Sequence, residues 1–344
     1  MKLQKLHIKN YKSLVDLEIV EPNPFTVFAG PNGAGKSNIF EALEFATYGL
    51  EWKFGSAIRL FGGAESIYPR SLSDLNKLET EIIYDYDSAS INRKVDILGS
   101  SSKRKGSSDE NSFTFNLFIK DDSVDSESFI KSNDNHVLHI VNFNRIFIKN
   151  ADLVRVKEIS NQKLGIDCSN LEKVLKRLLE DEIKREDITE YLDLFIPGFE
   201  RIEIDSNNLS GTDTLLIYEM GIDKPFTKDL ISDGTYNILC LLTAVFQSDE
   251  PQFLCIEEPE NGLNPHVIET FVELFRSICE DKGHYIWLNT HSQTLIRGLK
   301  EEELVLVDKE EGATKIKQFR KGDFYGLRAD EAWLSNALGA GLPW

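Results

Sequence analysis

The strongest constraint on the fold is a glycine-rich stretch near the start of the chain. Residues 30–37 have the sequence GPNGAGKS, in which two glycines are separated by four residues and followed by Lys36 and Ser37. This is the P-loop pattern. An apolar, β-prone run at residues 25–29 precedes it, and residues 39–45 after it have the composition and spacing of a helix. The sequence therefore predicts a strand, a glycine loop and a helix, which is the context that the motif requires.

This stretch also predicts a phosphate-binding site. Glycines let backbone N–H groups close around phosphate oxygens, and the N-terminal end of the following helix adds positive potential. Lys36 is expected to neutralise the β and γ phosphates, and the Ser37 hydroxyl is expected to take a Mg²⁺ position. The expected nucleotide-binding residues of the loop are Asn32, Gly33, Ala34, Gly35, Lys36 and Ser37. An ordinary glycine-rich turn is the alternative, and the Lys-Ser pair and the flanking elements argue against it.

Composition and charge restrict the partners of the chain. Its 344 residues allow one large α/β domain with an elaboration, or two smaller domains. The formal net charge of −18 repels duplex DNA and anionic membranes, so any nucleic-acid contact would need a local basic or assembled surface. We expect no signal peptide and no membrane span. Four cysteines without metal-site spacing predict reduced, mostly buried thiols of a cytoplasmic protein: Cys168, Cys240, Cys255 and Cys279.

The order of motifs predicts an interrupted nucleotide-binding domain. We expect its N-terminal half, with the P-loop, at residues 1–87 and its C-terminal half at residues 226–320. Residues 88–225 are expected to form an inserted β-hairpin and helical region, and residues 321–344 a tail. The sequence thus predicts two halves of one sheet with a subdomain inserted between them.

The insertion is predicted to contain a hairpin and a helix. Residues 100–110 are polar and have β-type runs on both sides, which predicts a hairpin tip. Its basic triplet at residues 103–105 could touch nucleic acid, but a solvated loop is favoured because acidic residues follow closely. Ser169 and Glu172 predict a capping box at the start of the helix. The apolar stripe of that helix consists of Leu171, Val174, Leu175, Leu178, Leu179 and Ile183.

Paired acids at the end of a predicted strand form a second candidate site. Residues 253–256 are apolar and are followed by Glu257 and Glu258. At the carboxyl end of a strand next to a P-loop, the first acid can hold the Mg²⁺ shell and the second can polarise an attacking water. A solvated acidic turn is the alternative. It does not explain why so apolar a strand stops at this point.

Three further turns in this half of the sequence carry candidate residues. Asn264 and Pro265 predict the start of a helix directly after the paired acids. Ser232 is expected to cap an apolar helix upstream, whose N-terminus favours a phosphate, although the cap itself needs no ligand. Another apolar strand, at residues 285–289, ends just before His291. A surface histidine is the simpler interpretation of His291 alone, but its place one strand after the paired acids favours contact with a γ-phosphate.

Together these residues resemble the ABC-type ATPases, and within them the RecF-like and OLD-like branch that acts with DNA or in bacterial anti-phage systems. The resemblance covers roughly residues 1–50 and 225–310. Lys12, in a polar turn, is expected near the nucleotide, and a plain hairpin turn is the alternative. The segments that carry the resemblance are residues 10–13, residues 30–38, residues 232–235 as signature, residues 257–263 and residues 290–292.

The resemblance implies an α/β ABC-type ATPase head, with a mixed central sheet and flanking helices, that binds ATP and Mg²⁺ and hydrolyses ATP. It implies a head-to-tail homodimer in which Ser232 and Gly234 of one subunit close on the ATP held by Lys36 of the other. The further implied roles are Mg²⁺ support by Glu257, hydrolytic base for Glu258, γ-phosphate sensing by His291, nucleotide binding by Asn38, and an intersubunit loop with Asn261 and Gly262.

Three departures from the family pattern shape the expected function. The glutamine that usually follows the P-loop helix is missing, because no Gln occurs between Lys36 and Gln162. The insertion is too short and irregular for the long coiled coil of chromosome-maintenance relatives. The chain also leaves no room for the nuclease domain of OLD proteins. We therefore expect a sensor ATPase of an anti-phage system that controls a separate effector, a nuclease or toxin; the alternative is an ATPase for DNA repair or DNA-end binding.

Overall fold

The computed structural model describes residues 2–52, 54–70, 79–88, 91–102, 112–121, 142–207, 209, 211–335 and 338. The chain divides into two compact units. The first consists of Met1–Phe143 with Leu299–Trp344, and the second of Asn144–Gly298. The P-loop belongs to the first unit, whereas the signature, the paired acids and His291 belong to the second. The basic triplet at residues 103–105 lies outside the described residues.

Groups of strands are separated by groups of helices along the chain. The strands are β1 (Lys2–Tyr11), β2 (Leu14–Val20), β3 (Phe25–Ala29), β4 (Glu79–Ser88), β5 (Ile91–Ser102), β6 (Ser112–Asp121), β7 (Phe143–Ile146), β8 (Phe199–Asn207), β9 (Thr212–Glu219), β10 (Phe226–Thr227), β11 (Phe253–Glu257), β12 (Tyr285–Thr290), β13 (Leu304–Glu310) and β14 (Ala313–Gln318). The helices are α1 (Lys36–Trp52), α2 (Phe54–Leu60), α3 (Ala64–Ile67), α4 (Leu171–Glu180), α5 (Glu182–Phe195), α6 (Asp233–Phe246), α7 (Pro265–Lys282), α8 (Gln293–Arg297) and α9 (Ala329–Leu334).

The first unit contains an antiparallel sheet and the strands around the P-loop. The antiparallel sheet has the order β2-β1-β4-β5-β6. Within this sheet the adjacent strands β5 and β6 form the predicted hairpin. The tip of the hairpin, at residues 103–111, lies outside the described residues. Beside the P-loop, β13 pairs in parallel with β3 and antiparallel with β14. All five residues of β3 are buried, which is the pattern of a strand covered on both faces.

The second unit places two buried strands beside long apolar helices. Strand β11 runs parallel to β12 and has β7 on its other side. Every residue of β11 and β12 is buried, so these strands form the centre of this unit. Helix α6 is buried at every position from Tyr236 to Phe246. A helix that is covered on all sides needs apolar residues on all its faces, which explains the largely apolar sequence of α6. A separate antiparallel sheet has the order β10-β9-β8.

The predicted capping box of the inserted helix is wrong. The N-cap of α4 is Asn170, and it makes no side-chain capping bond. Its side chain instead fixes the preceding loop by accepting from the backbone N–H of Gly165 and donating to two backbone carbonyls. The predicted stripe also breaks at Asp181, which caps a new helix, α5. Ile183 therefore leaves the apolar face and is 72% exposed.

The predicted burial of the four cysteines is confirmed. None of the four forms a disulfide, and all four are buried. Burial raises the pKa of the Cys168 thiol well above its usual value, so this thiol stays protonated and unreactive near neutral pH. Among the helices that the structure describes, none combines the length and apolar character needed to cross a bilayer.

Candidate active site

The P-loop connects β3 to α1, as predicted. Gly33 and Gly35 have φ angles of 77° and 106°, a region that side-chain-bearing residues avoid. A Cβ atom on Gly35 would lie 2.0 Å from Oγ1 of Thr314, and one on Gly30 would lie 2.0 Å from the carbonyl oxygen of Val307. These glycines therefore allow both the turn and the close approach of β13 and β14.

Lys36 is folded back over its own loop. Its Nζ donates to the carbonyl oxygens of Gly30 at 2.8 Å and Pro31 at 3.0 Å. The residue is only 5% exposed, and a buried ammonium needs acceptors of this kind. The loop thus holds a positive charge at the start of α1, and the binding of a phosphate group by Lys36 stays a prediction.

A polar cluster fixes the P-loop to the polar turn before β2. Ser13 Oγ accepts from Asn38 Nδ2 at 2.8 Å and contacts Thr314 Oγ1 at 2.6 Å. Thr314 Oγ1 in turn donates to the carbonyl oxygen of Ala34 at 2.8 Å. Thr314 was not predicted as part of this site, since a threonine at an inward position of a strand carries no distinctive signal. Asn38, assigned to the nucleotide site by resemblance, supports the loop through this cluster.

Lys12 pairs with the P-loop helix. Its Nζ lies 2.6 Å from Oε2 of Glu41, one helical turn after Ser37 on α1. The turn also puts Lys12 in the left-handed backbone region, with φ of 50°. The side chain thus lies beside the helix that follows the P-loop, and its contact with a nucleotide stays a prediction.

In the second unit, Glu257 is held on both carboxylate oxygens. It ends β11 and is 2% exposed. Oε1 accepts from Nε of Arg145 at 2.8 Å and also from its Nη2. Oε2 accepts from Asn289 Nδ2 at 2.5 Å. The solvated acidic turn considered as an alternative is wrong for Glu257, because this carboxylate is enclosed and its charge is balanced by a buried guanidinium.

Neither Arg145 nor Asn289 was predicted as a partner of Glu257. Arg145 lies in the middle of β7, and its side chain is 3% exposed. Its strand has the sequence Phe-Asn-Arg-Ile, and two polar residues in so short a strand give no clear sign of burial, although a buried charge must be paired. Asn289, the penultimate residue of β12, is an amide in a buried strand.

Glu258 has a more open environment and a less common backbone conformation. Its φ is 47°, in the left-handed region that few such residues adopt. Its backbone N–H donates to the carbonyl oxygen of Asn289 at 3.0 Å, and its Oε2 accepts from Asn261 Nδ2 at 3.1 Å. The left-handed turn directs the second acid away from the first, so the two carboxylates have different partners. This separation suits two different roles.

The signature turn is capped as predicted. Ser232 Oγ accepts from the backbone N–H of Thr235 at 3.0 Å at the start of α6. Lys149 forms an ion pair with Asp233 of the signature, and its Nζ lies 4.8 Å from the ring centroid of Tyr236. The exposed turn thus carries the positive end of the α6 dipole, while Asp233 offsets the charge of Lys149.

The signature turn packs directly against the loop that follows the acids. A Cβ atom on Gly234 would lie 2.5 Å from the carbonyl oxygen of Gly262. Asn237, one turn along α6, donates to the carbonyl oxygen of Asn261. Asn261 is the residue whose side chain contacts Glu258. A hydrogen-bonded path therefore links the signature helix to the second acid.

His291 follows β12 on a turn that a third acid holds. Glu260 Oε1 accepts from Thr290 Oγ1 at 2.5 Å and from the backbone N–H of His291 at 3.2 Å. Burial, together with the charge of Glu258, raises the pKa of Glu260. The His291 residue itself is exposed. Glu260 was not predicted to have a role, although it lies two residues after Glu258 in the sequence.

The structure therefore groups the predicted residues within each unit. In the first unit it brings together Asn32, Gly33, Ala34, Gly35, Lys36, Ser37 and Asn38, with Lys12 beside α1. In the second it groups Ser232, Gly234, Glu257, Glu258 and His291 around one loop. Their individual roles stay predictions. The hydroxyl of Ser37 is a hard oxygen donor of the kind that Mg²⁺ takes. The carboxylate of Glu257 has the same chemistry, but both of its oxygens already accept from Arg145 or Asn289.

A family model and several relatives match the chain. The model described as "AAA domain, putative AbiEii toxin, Type IV TA system" matches residues 25–297. The chromosome partition protein Smc of Methanococcus voltae is 31% identical over 103 residues, which are 28% of this chain and 9% of the relative. The DNA double-strand break repair Rad50 ATPase of Methanocaldococcus jannaschii is 34% identical over 88 residues, which are 26% and 9%. The chain thus spans less than a tenth of these curated relatives.

Solved structures show the same fold. The SMC head domain from Thermotoga maritima has a TM-score of 0.51 at 17% identity, over 93% of this chain and all of that one. The Smc head domain derived from Pyrococcus furiosus, with an extended coiled coil and bound to the C-terminal domain of ScpA, has a TM-score of 0.56 at 14% identity, over 92% and 96%. These findings confirm the predicted fold class. The residues matched by the family model include the P-loop, the signature, the paired acids and His291, on which the predicted ATPase activity with ATP and Mg²⁺ depends.

Proposed function

The chain belongs to the AAA-domain family described as putative AbiEii toxin, Type IV TA system, and from this premise we propose that it binds MgATP, forms a head-to-tail homodimer on it and hydrolyses it. The observation that carries the proposal is the packing of the second unit. There the signature turn, the paired acids and the histidine turn meet on one loop, linked through Asn237, Asn261 and Glu260. These are the elements that a nucleotide site shared between two subunits requires.

The proposed reaction is attack of water on the γ-phosphate. Lys36 and the backbone N–H groups of the P-loop bind the phosphate oxygens, and Glu258 accepts the proton of the attacking water. Ser37 and Glu257 would hold Mg²⁺, which neutralises charge on the phosphates. Arg145 keeps the Glu257 carboxylate in one orientation through two N–H donors. Catalysis in this scheme is positioning and charge stabilisation, as is usual for phosphoryl transfer.

Mixing two inactive variants tests the shared site. Lys36→Ala removes the P-loop cation, and Ser232→Arg blocks the signature, so neither homodimer is expected to hydrolyse ATP. A mixed dimer contains one site in which both halves are intact. In a 1:1 mixture we expect about a quarter of the wild-type rate, because half the dimers are mixed and each has one active site. Steady-state phosphate release measures this recovery.

The matched control mixes Lys36→Ala with Glu258→Gln. If the P-loop and the acid of one subunit serve the same ATP, both sites of this mixed dimer are inactive, and no recovery is expected. Activity of the Lys36→Ala and Ser232→Arg mixture no higher than that of this control would contradict a site shared between subunits.

We further infer that the ATPase cycle controls a separately encoded effector, a nuclease or toxin, in an anti-phage defence system of the OLD-like type. The family description names a Type IV TA system, that is, a toxin–antitoxin pair, and a system with two components supports a role beside a separate protein. Coexpression with the product of a neighbouring gene tests it. We expect Lys36→Ala to change the growth inhibition caused by that product, whereas Lys321→Ala, at an exposed lysine of the same unit, leaves it as in wild type. Equal effects of wild type and Lys36→Ala exclude this form of control.

A DNA-repair or DNA-end-binding ATPase is the second candidate. The names of the Rad50 and Smc relatives favour it, whereas the net charge of −18 opposes it. Binding through phosphate contacts gives an affinity that falls steeply with salt. Strongly salt-dependent binding of duplex ends by the ATP-bound protein would favour this candidate over the effector proposal.

A further inference from the structure

The loop between β11 and α7 contains a partly buried acid that the proposed reaction does not use. The Glu260 side chain reaches the end of β12, where its Oε1 accepts from Thr290 Oγ1 and from the backbone N–H of His291. Thr290 Oγ1 also accepts from the backbone N–H of Ser292 at 2.9 Å, and Ser292 Oγ caps α8. One carboxylate oxygen thus fixes the turn that presents His291.

The same side chain lies close in sequence to the predicted base. Only Pro259 separates Glu260 from Glu258, and Asn261 on its other side contacts Glu258 through its amide. Movement of Glu260 therefore moves both the loop of the base and the turn of the histidine. Since phosphoryl transfer depends on positioning, a rigid connection between these two groups is valuable.

The surroundings of Glu260 lower the stability of the fold rather than raise it, so stability alone does not explain this residue. Its Oε2 is buried and has no hydrogen-bond partner among the described residues. The side chain also borders a cavity of about 10 Å³ whose other lining residues include Leu241, Phe271 and Leu295. Apolar surroundings explain why the pKa of Glu260 is raised. A buried oxygen without a partner costs stability, so its presence points to a role in the site.

We propose that Glu260 is a positioning residue that holds His291 at a fixed position relative to Glu258. The proposal rests on the proposed function, because it assigns both residues to one reaction. Glu260 itself touches no reacting atom in this scheme. It acts through the backbone of His291 and through Thr290.

Three substitutions test this role. Glu260→Ala removes the acceptor and is expected to lower kcat between about 10- and 100-fold with KM for ATP little changed, because sub-ångström displacement of a catalytic group costs rate more than binding. Glu260→Gln keeps one acceptor oxygen and is expected to restore most of kcat. Thr290→Val removes one donor and should give an intermediate loss. Glu273→Gln, at an exposed position of α7, is the matched control and is expected to behave as wild type.

Hydrogen exchange of the His291 backbone amide provides a readout independent of turnover. We expect faster exchange in Glu260→Ala, and wild-type protection in Glu260→Gln and in the Glu273→Gln control. Unchanged exchange together with unchanged kcat in Glu260→Ala would overturn the proposal. If Glu260→Ala fails to fold, the comparison of Thr290→Val with wild type decides by the same two measurements. If the wild-type protein hydrolyses no ATP, the proposed function is refuted. The exchange data still test whether Glu260 holds the backbone amide of His291.

Discussion

Replacing Glu258 with glutamine is expected to lower kcat for ATP hydrolysis by about 10²- to 10⁴-fold, the contribution typical of a general base. Glutamine has the size of glutamate and retains an oxygen that can accept from Asn261, but it cannot take a proton from water. Binding of ATP should persist, because Lys36 and the P-loop belong to the other unit and are unchanged. The dimer should therefore accumulate with ATP bound. Single-turnover phosphate release and size-exclusion chromatography with MgATP measure the two effects.

The control for this variant is Glu250→Gln, at an exposed position of the same unit. It is expected to hydrolyse ATP at the wild-type rate and to show no trapped dimer. Turnover of Glu258→Gln at the wild-type rate means that another group is the base. Loss of ATP binding in Glu258→Gln would instead show that the second acid supports the nucleotide rather than the water.

Features that depend on neighbours in sequence were predictable. The P-loop, the cap at Ser232 and the cap at Asn264 each involve residues within a few positions of one another, and the structure has all three. The buried strands β11 and β12 were equally clear, because a short continuous apolar run bounded by polar turns predicts a covered strand. The fold class was implied by the family resemblance that these motifs carry in their order.

Features that join distant parts of the chain were not predictable from local pattern. Arg145 and Glu257 are 112 residues apart, and Ser13 and Thr314 are 301 apart. No periodicity or capping rule relates such pairs, since only the tertiary fold brings them together. The wrong capping box at Ser169 has a related cause, because Asn170 uses its side chain on the loop that precedes the helix.

Replacing Arg145 with methionine is expected to destabilise the protein by about 3–5 kcal/mol, the usual effect of removing one partner from a buried ion pair. The side chains of Arg145 and Glu257 are 3% and 1% exposed. Methionine fills a similar volume but leaves the carboxylate of Glu257 without its balancing charge. Urea denaturation followed by circular dichroism measures the free energy of unfolding. Arg185→Met, whose partner and guanidinium are largely exposed on α5, should cost no more than about 0.5 kcal/mol.

A double variant separates loss of charge balance from loss of packing. In Arg145→Met combined with Glu257→Gln, no carboxylate is left uncompensated, so the second substitution should recover a large part of the stability lost by the first. Asn289 can still donate to the amide oxygen of the new glutamine. Equal stability of the single and double variants would show that Arg145 contributes through packing. Recovery of stability without recovery of ATP hydrolysis is the expected combination, because the double variant regains a balanced core but lacks the acid proposed to support Mg²⁺.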